Sequence, residues 1–151
     1  MQLLTVGSVA FDAIETPFGK SDKIVGGAGT YISLAASFFN RNQALVSVVG
    51  EDFPTAVLDG MVNRGIDIRG IQIPEGGKTF FWAGKYHNDM NSRDTLVTEL
   101  NVLGTFDPVV PMEYRNAPFL MLGNLSPDVQ RKVVEQMEVR PKLIAMDTMN
   151  F

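Results

Sequence analysis

The sequence predicts an α/β fold: a parallel sheet flanked by helices, with a small antiparallel β sheet set beside it. Three observations carry this. Over residues 3–64, short apolar runs closed by Gly, Ser or Asp alternate with segments of helical period. Long extended segments separated by turn residues follow over 68–103. From 119 the alternation of buried strand and helix resumes. At 151 residues the chain can bury a real core as one domain, and 45% hydrophobic with 20% charged residues are globular proportions.

Residues 3–6 are too short an apolar run for a helix and end at Gly7 and Ser8, which predicts a buried first strand. After Asp12, two extended pieces within 13–25 flank the turn-rich stretch 17–22, a predicted hairpin. The glycines Gly26, Gly27 and Gly29 open segment 30–41. There Ile32, Leu34, Ala35, Phe38 and Phe39 recur at helical spacing and predict a buried helix. Residues 44–49 form a second β-branched run. Segment 54–64 reads as a helix with Pro54 at its start and Gly65 just past its end. Segments 68–73, 78–87 and 95–103 predict three antiparallel strands. Residues 119–122 return to a buried strand. Ser126, Pro127 and Asp128 then supply an N-cap hydroxyl, a Pro at N1 and an acid in the first turn of a helix running to about Val139. Pro141 ends it, and 143–146 is a last strand running into Asp147.

Composition excludes several functions. A formal net charge of -4 and no Lys/Arg run give no footprint for nucleic acid. With no Cys there is neither a disulfide framework nor a thiolate metal site. No apolar run approaches the ~20 residues that cross a bilayer, so no membrane role follows, and the start lacks a signal-peptide pattern, which points to the cytoplasm. The triplets Gly19-Lys20-Ser21 and Gly77-Lys78-Thr79 each spell the end of a Walker A motif. The required earlier glycine is Ile14 in one and Gln72 in the other, and neither triplet joins a buried strand to a helix. A dinucleotide fingerprint fails because Ile32 stands where the third glycine belongs. His87 has no second His or Cys nearby to share a metal.

Ligands of open α/β sheets bind beyond the carboxyl ends of strands. Those places hold Asp12, the glycine loop, Asn124 and Asp147. An acid with two acceptor oxygens beside backbone N–H groups suits a polyol gripped through adjacent hydroxyls. Taken alone, Asp12 reads as a turn or capping residue, and the glycine loop as a tight turn before a packed helix.

Together, VGSVAFD at 6–12, VGGAGTYISLAAS at 25–37, VVGEDFP at 48–54, RGID at 64–67 and MDTMN at 146–150 resemble the ribokinase-like (PfkB) carbohydrate kinase family. The resemblance implies a Rossmann-like ribokinase fold over residues 1–151, with lid segments at about 13–25 and 68–103 closing over substrate. It implies that Asp12 grips substrate hydroxyls and that Gly26 and Gly27 bring backbone close to the sugar; beside these, Tyr31, Trp82 and Asn124 are candidates to face substrate and Asp147 to face the nucleotide. Where ribokinase-type members carry Asn, this chain has Ala10 and Tyr31, so ribose specificity does not carry over. Tyr31, Phe11, Phe80 and Trp82 offer aromatic surface to a sugar ring or a nucleobase, although an aromatic residue in a strand is ordinarily just packed.

The family's Gly-Ala-Gly-Asp segment with the general base, its Asn-x-x-Glu segment near magnesium and its nucleotide pocket have no counterpart in the sequence. The resemblance therefore implies an N-terminal half whose nucleotide-binding partner half is missing. Such a chain has no catalytic residue of its own, uses ATP and Mg only in the complete enzyme, transfers no phosphate alone, and pairs as a homodimer through the lid if it pairs at all. The expected activity is ATP-dependent phosphorylation of a sugar hydroxyl. The alternatives are a nucleoside kinase of the same family and a non-catalytic sugar- or nucleoside-binding module.

Overall fold

The structure, a computed structural model, describes residues 2–148. Met149 and Asn150, the end of the MDTMN motif, lie outside the described residues. In chain order the strands are β1 (Leu3–Val6), β2 (Ala10–Thr16), β3 (Gly19–Gly26), β4 (Gln43–Val48), β5 (Ile66–Gln72), β6 (Phe81–Tyr86), β7 (Arg93–Glu99), β8 (Phe119–Leu122) and β9 (Leu143–Met146). The helices are α1 (Ala28–Ser37), α2 (Thr55–Asn63) and α3 (Pro127–Glu135), with 3-10 turns at Asn101–Thr105 and Met112–Tyr114.

Five strands form an all-parallel sheet in the order β5-β4-β1-β8-β9. A parallel sheet is covered on both faces, which is why its central strands read as unbroken apolar runs; every residue of β4 is buried. On one face Leu45, Leu58, Met61 and Ile66 pack with Phe11 and Phe53. On the other, Leu4, Val6, Val46, Leu120 and Leu122 pack with Val133 of α3 and with Val102, Phe106, Val110 and Tyr114 from the 3-10 region.

Helix α1 differs from the helix predicted over 30–41. It spans Ala28–Ser37, and the residues it buries are Gly29, Thr30 and Ser33, while Phe38 and Phe39 are 75% and 93% exposed. The physical reason is close approach. The Gly29 N–H donates to the Ser8 carbonyl at 2.8 Å, and a Cβ on Gly7 would lie 2.7 Å from the Gly29 nitrogen, so small residues must form the contact face. Helix α3 also stops before Val139, because its last turn tightens to i→i−3 bonds and the Glu138 N–H donates to the Arg115 carbonyl.

Of residues 68–73, expected in the antiparallel block, 68–72 belong to β5, the edge of the parallel sheet. The β4-α2-β5 crossover with Gly65 (φ 82) ending the helix forms a βαβ unit, and such a unit returns its strand to the same sheet. Residues 95–103 are likewise a strand only to Glu99.

The second sheet, in the order β3-β2-β6-β7, is mixed rather than antiparallel, since β2 pairs with β6 in parallel. Both strands leave the body in the same direction, and the Phe11 N–H donates to the Phe80 carbonyl at 2.9 Å where they part from it.

The junction between the sheets is the GEDFP segment after β4. One Asp52 oxygen accepts from the Thr79 N–H (2.8 Å) and hydroxyl (2.7 Å), and that hydroxyl accepts from the Gly50 N–H (3.0 Å). The other Asp52 oxygen stands 3.7 Å from Lys23 Nζ of β3. Hydrogen bonds to a charged acceptor contribute about 1.5–3 kcal/mol, whereas exposed ion pairs contribute about 1 kcal/mol or less. Thr79 is thus the firm contact and Lys23 the weak one.

The RGID motif serves the fold. A bulge in β5 opposite β4 turns Asp67 and Arg69 to one side, where the Arg69 guanidinium, 2.6 Å away, holds the Asp67 carboxyl down at about 2. A carboxylate with a lowered pKa stabilises the fold above its ordinary value of 3.8 and loses that contribution as the pH falls toward the folded value. Asp67→Asn should therefore cost about 1 kcal/mol at neutral pH, after allowance for the exposed Arg69. In urea melts the wild-type and variant stabilities should converge between about pH 4 and pH 2. A difference independent of pH would assign the effect to packing instead.

Candidate functional site

A cleft of about 870 Å³ runs between the carboxyl ends of the parallel strands and one face of the small sheet. Of the residues singled out in the sequence, Asp12, Gly27, Tyr31, Trp82, Asn124 and Asp147 all line it. Gly26 does not. It lies beneath Asp12, where a Cβ would collide with the Asp12 carboxylate, so this glycine makes room for the acid.

Asp12 is the third residue of β2, within the hairpin, paired laterally with Trp82 on β6 and Ile24 on β3. Among the described residues its carboxylate has no hydrogen-bond or ion-pair partner, and partial burial raises its pKa. As a cap it would accept backbone N–H groups; it accepts none. A partly buried carboxylate left without a partner is costly to the fold, which makes Asp12 a candidate for ligand contact.

The floor is built from backbone. Gly27, with φ 95, caps α1, and a Cβ there would strike the Ser8 carbonyl. The first N–H groups of α1 are already used: Ala28 donates to Ser8 Oγ at 3.1 Å and Gly29 to the Ser8 carbonyl. Beyond β8 and β9, the buried Gln130 of α3 donates from Nε2 to the carbonyls of Gly123 (2.9 Å) and Asp147 (3.0 Å), fixing the two loops that present Asn124 and Asp147.

The small sheet supplies the opposite wall. Trp82 lies along its strand across Gly84, since a Cβ on Gly84 would fall within the indole ring. Its Nε1 donates to Thr95 Oγ1 at 3.3 Å, and the Arg93 guanidinium lies 5.9 Å from the ring centroid. Tyr31 is anchored by its hydroxyl, which donates to the Val25 carbonyl at 3.0 Å. Arg93, Thr95, Thr98 and Ser8 line the cleft as well. Sequence reasoning passed over them because Arg93 sits at the end of a stretch that reads as a turn. The alternation of Trp82, Gly84 and Tyr86 on one face was the available signal.

Among the described residues no group of three or more His, Cys, Asp or Glu side chains could hold a metal ion. Asp12 and Asp147 are the carboxylates of the cleft. No helix among the described residues is long and apolar enough to cross a membrane.

No family model matches the chain. It is 29% identical over 139 residues to the cytidine kinase of Thermococcus kodakarensis, an alignment covering 91% of this chain and 49% of that protein. Among solved structures, the nucleoside kinase of Methanocaldococcus jannaschii, an archaeal member of the ribokinase family, superposes with a TM-score of 0.76 at 19% identity, over 99% of this chain and 53% of that one. The ribokinase of Cryptococcus neoformans in complex with ADP gives 0.75 at 15% identity, over 99% and 51%. The chain has the ribokinase fold and resembles the PfkB kinases, and it spans about half the length of these relatives.

Proposed function

We propose that this chain, with its ribokinase fold, is the acceptor-holding part of an ATP-dependent phosphotransferase whose acceptor is a nucleoside rather than a free sugar. The observation that carries the choice is Trp82 lying flat over Gly84 beside Asp12. A planar indole at a cleft wall suits stacking by a planar base. The adjacent carboxylate suits the paired hydroxyls of a ribose. Arg93 next to the indole adds donors for a base carbonyl. The cleft volume lies toward the upper end of the ~300–1,000 Å³ usual for small-molecule sites, more than a monosaccharide needs. In this reading Asp12 orients the acceptor by taking hydrogen bonds from two hydroxyls, Trp82 and Tyr31 exclude water from the base, and the acceptor hydroxyl attacks the γ-phosphate of ATP.

Trp82 is the only tryptophan, so its emission reports on the cleft directly. Cytidine should quench it saturably while ribose leaves it unchanged. Trp82→Leu should weaken cytidine binding in calorimetry by about 1 kcal/mol, roughly fivefold. Ribose binding equal to or tighter than cytidine binding would return the acceptor to the free-sugar reading, in which only the Asp12 side of the cleft is used.

A further inference from the structure

Two non-glycine residues at the root of the small sheet adopt left-handed backbone, and both turn their side chains to the same place. Lys23 (φ 48) lies in β3 at the register shift opposite Asp12 and Ile14; its ammonium stacks 4.4 Å over the Phe11 ring and faces Asp52. Asn101 (φ 48) follows β7 and donates from Nδ2 to the Thr79 carbonyl at 2.9 Å. Such conformations persist only where the surroundings hold them, and they concentrate where a segment must be aimed or must move. Between them stands the Asp52–Thr79 contact, with Thr79 almost wholly buried two residues before β6, the strand that carries Trp82.

We propose that Asp52 is a positioning residue for the cleft: one carboxylate oxygen fixes the root of β6 through Thr79, and the other, through Lys23, holds the β2–β3 hairpin that carries Asp12. The division follows from geometry and exposure. Thr79 is held by two short hydrogen bonds in a buried setting, while Lys23 meets Asp52 at 3.7 Å with 57% of its side chain exposed. When the hairpin swings, the Lys23 contact opens first and the Thr79 contact remains as the pivot. The bulge that places Lys23 next to Asp52 lies beside the Asp12 pairing, so opening it also re-aims Asp12. Partial burial pushes the Asp52 carboxyl up, but the Thr79 bonds and the Lys23 charge more than offset this and keep it below the ordinary value, ionised for both contacts. The inference rests on reading the cleft as the acceptor site only for its consequence on binding.

Amide hydrogen exchange of the ligand-free chain tests it. Lys23→Met removes the weak contact. Asp52→Asn keeps an acceptor for Thr79 but loses the charge that faces Lys23. Each should speed exchange over 10–26 by about two- to fivefold, the size expected for one exposed ion pair. Exchange in β4, in α2 and over 77–82 should stay as in the wild type, and the double variant should be no faster than either single one. Asp52→Ala, which also releases Thr79, should extend the effect to 77–82. Cytidine binding should weaken severalfold in Lys23→Met with the fold intact. The proposal is overturned if Lys23→Met leaves 10–26 unchanged, if Asp52→Asn speeds exchange uniformly across the chain, or if the two single effects add in the double variant. Because exchange is read without ligand, a wild-type chain that binds no cytidine would sink the nucleoside reading while the positioning role is still decided.

Discussion

Replacing Gly27 by Ala should destabilise the chain by about 3 kcal/mol, whereas Gly60→Ala should stabilise it by up to about 1 kcal/mol. The two glycines carry the same missing methyl and opposite physics. Gly27 has φ 95, a backbone conformation that costs an L residue about 1–3 kcal/mol. Its added Cβ would also strike the Ser8 carbonyl and come within 3.0 Å of the Ala10 nitrogen, both backbone atoms that cannot step aside. The strain cannot relax locally, because the Ser8 carbonyl also receives the Gly29 N–H and its hydroxyl receives the Ala28 N–H. Gly60 sits inside α2 with nothing within 4 Å of its added Cβ, so there the methyl acts only through helix propensity and the entropy of the unfolded chain. For a domain of this size, thermal midpoints should fall by roughly 6–12 °C for Gly27→Ala and rise by about 2–4 °C for Gly60→Ala. A Gly27→Ala midpoint equal to the wild type would mean the loop adopts another path and the backbone floor of the cleft is not as described.

What the sequence could tell, and where it stopped, follows from the range of the interactions. Ser126-Pro127-Asp128 announces α3 correctly because capping is a matter of adjacent residues; the Ser126 hydroxyl accepts from the Val129 N–H. The glycines that open α1 were legible because a chain reversal into a helix is also local, whereas Asp12, expected after the first strand, lies inside β2 of the hairpin. Residues 68–73 were misassigned because β-branched alternation looks the same in an edge strand of either sheet, and only the crossover through α2 decides between them. Phe38 and Phe39 were placed inside by periodicity, yet α1 meets the sheet through Gly29, Thr30 and Ser33, a contact set by backbone approach rather than by hydrophobicity. Asp52 and Thr79 are 27 residues apart, as Gln130 and Asp147 are 17 apart, so no local pattern announces either tie. Trp82 was readable as aromatic surface, but its flatness depends on Gly84, and a glycine in a strand says only that something approaches closely.

Replacing Asp12 by Ala should lower acceptor affinity by one to two orders of magnitude while leaving the fold at least as stable. The second half of this expectation discriminates. Among the described residues Asp12 makes no hydrogen bond or ion pair, and burial raises its pKa, so its ionised form is a cost to the folded state. A group with a raised carboxyl pKa favours folding when protonated and works against it once ionised, so at neutral pH removing the charge relieves a penalty. The acceptor reverses the balance. Two hydroxyls donating to a carboxylate contribute about 1.5–3 kcal/mol or more, and each 1.4 kcal/mol is tenfold in the dissociation constant. The same raised pKa sets the sign of the pH dependence. Affinity should be full where Asp12 is ionised and should decline on acidification, beginning at a higher pH than an ordinary carboxylate would give. Asp12→Asn, which keeps one acceptor oxygen and cannot ionise, should bind at an intermediate level with no such decline. Calorimetric titration of the three forms with cytidine across the acid range, beside their thermal midpoints, decides between a recognition role and a structural one. Lost stability in Asp12→Ala with an unchanged dissociation constant would return this residue to the turn-forming role that its sequence position alone suggests.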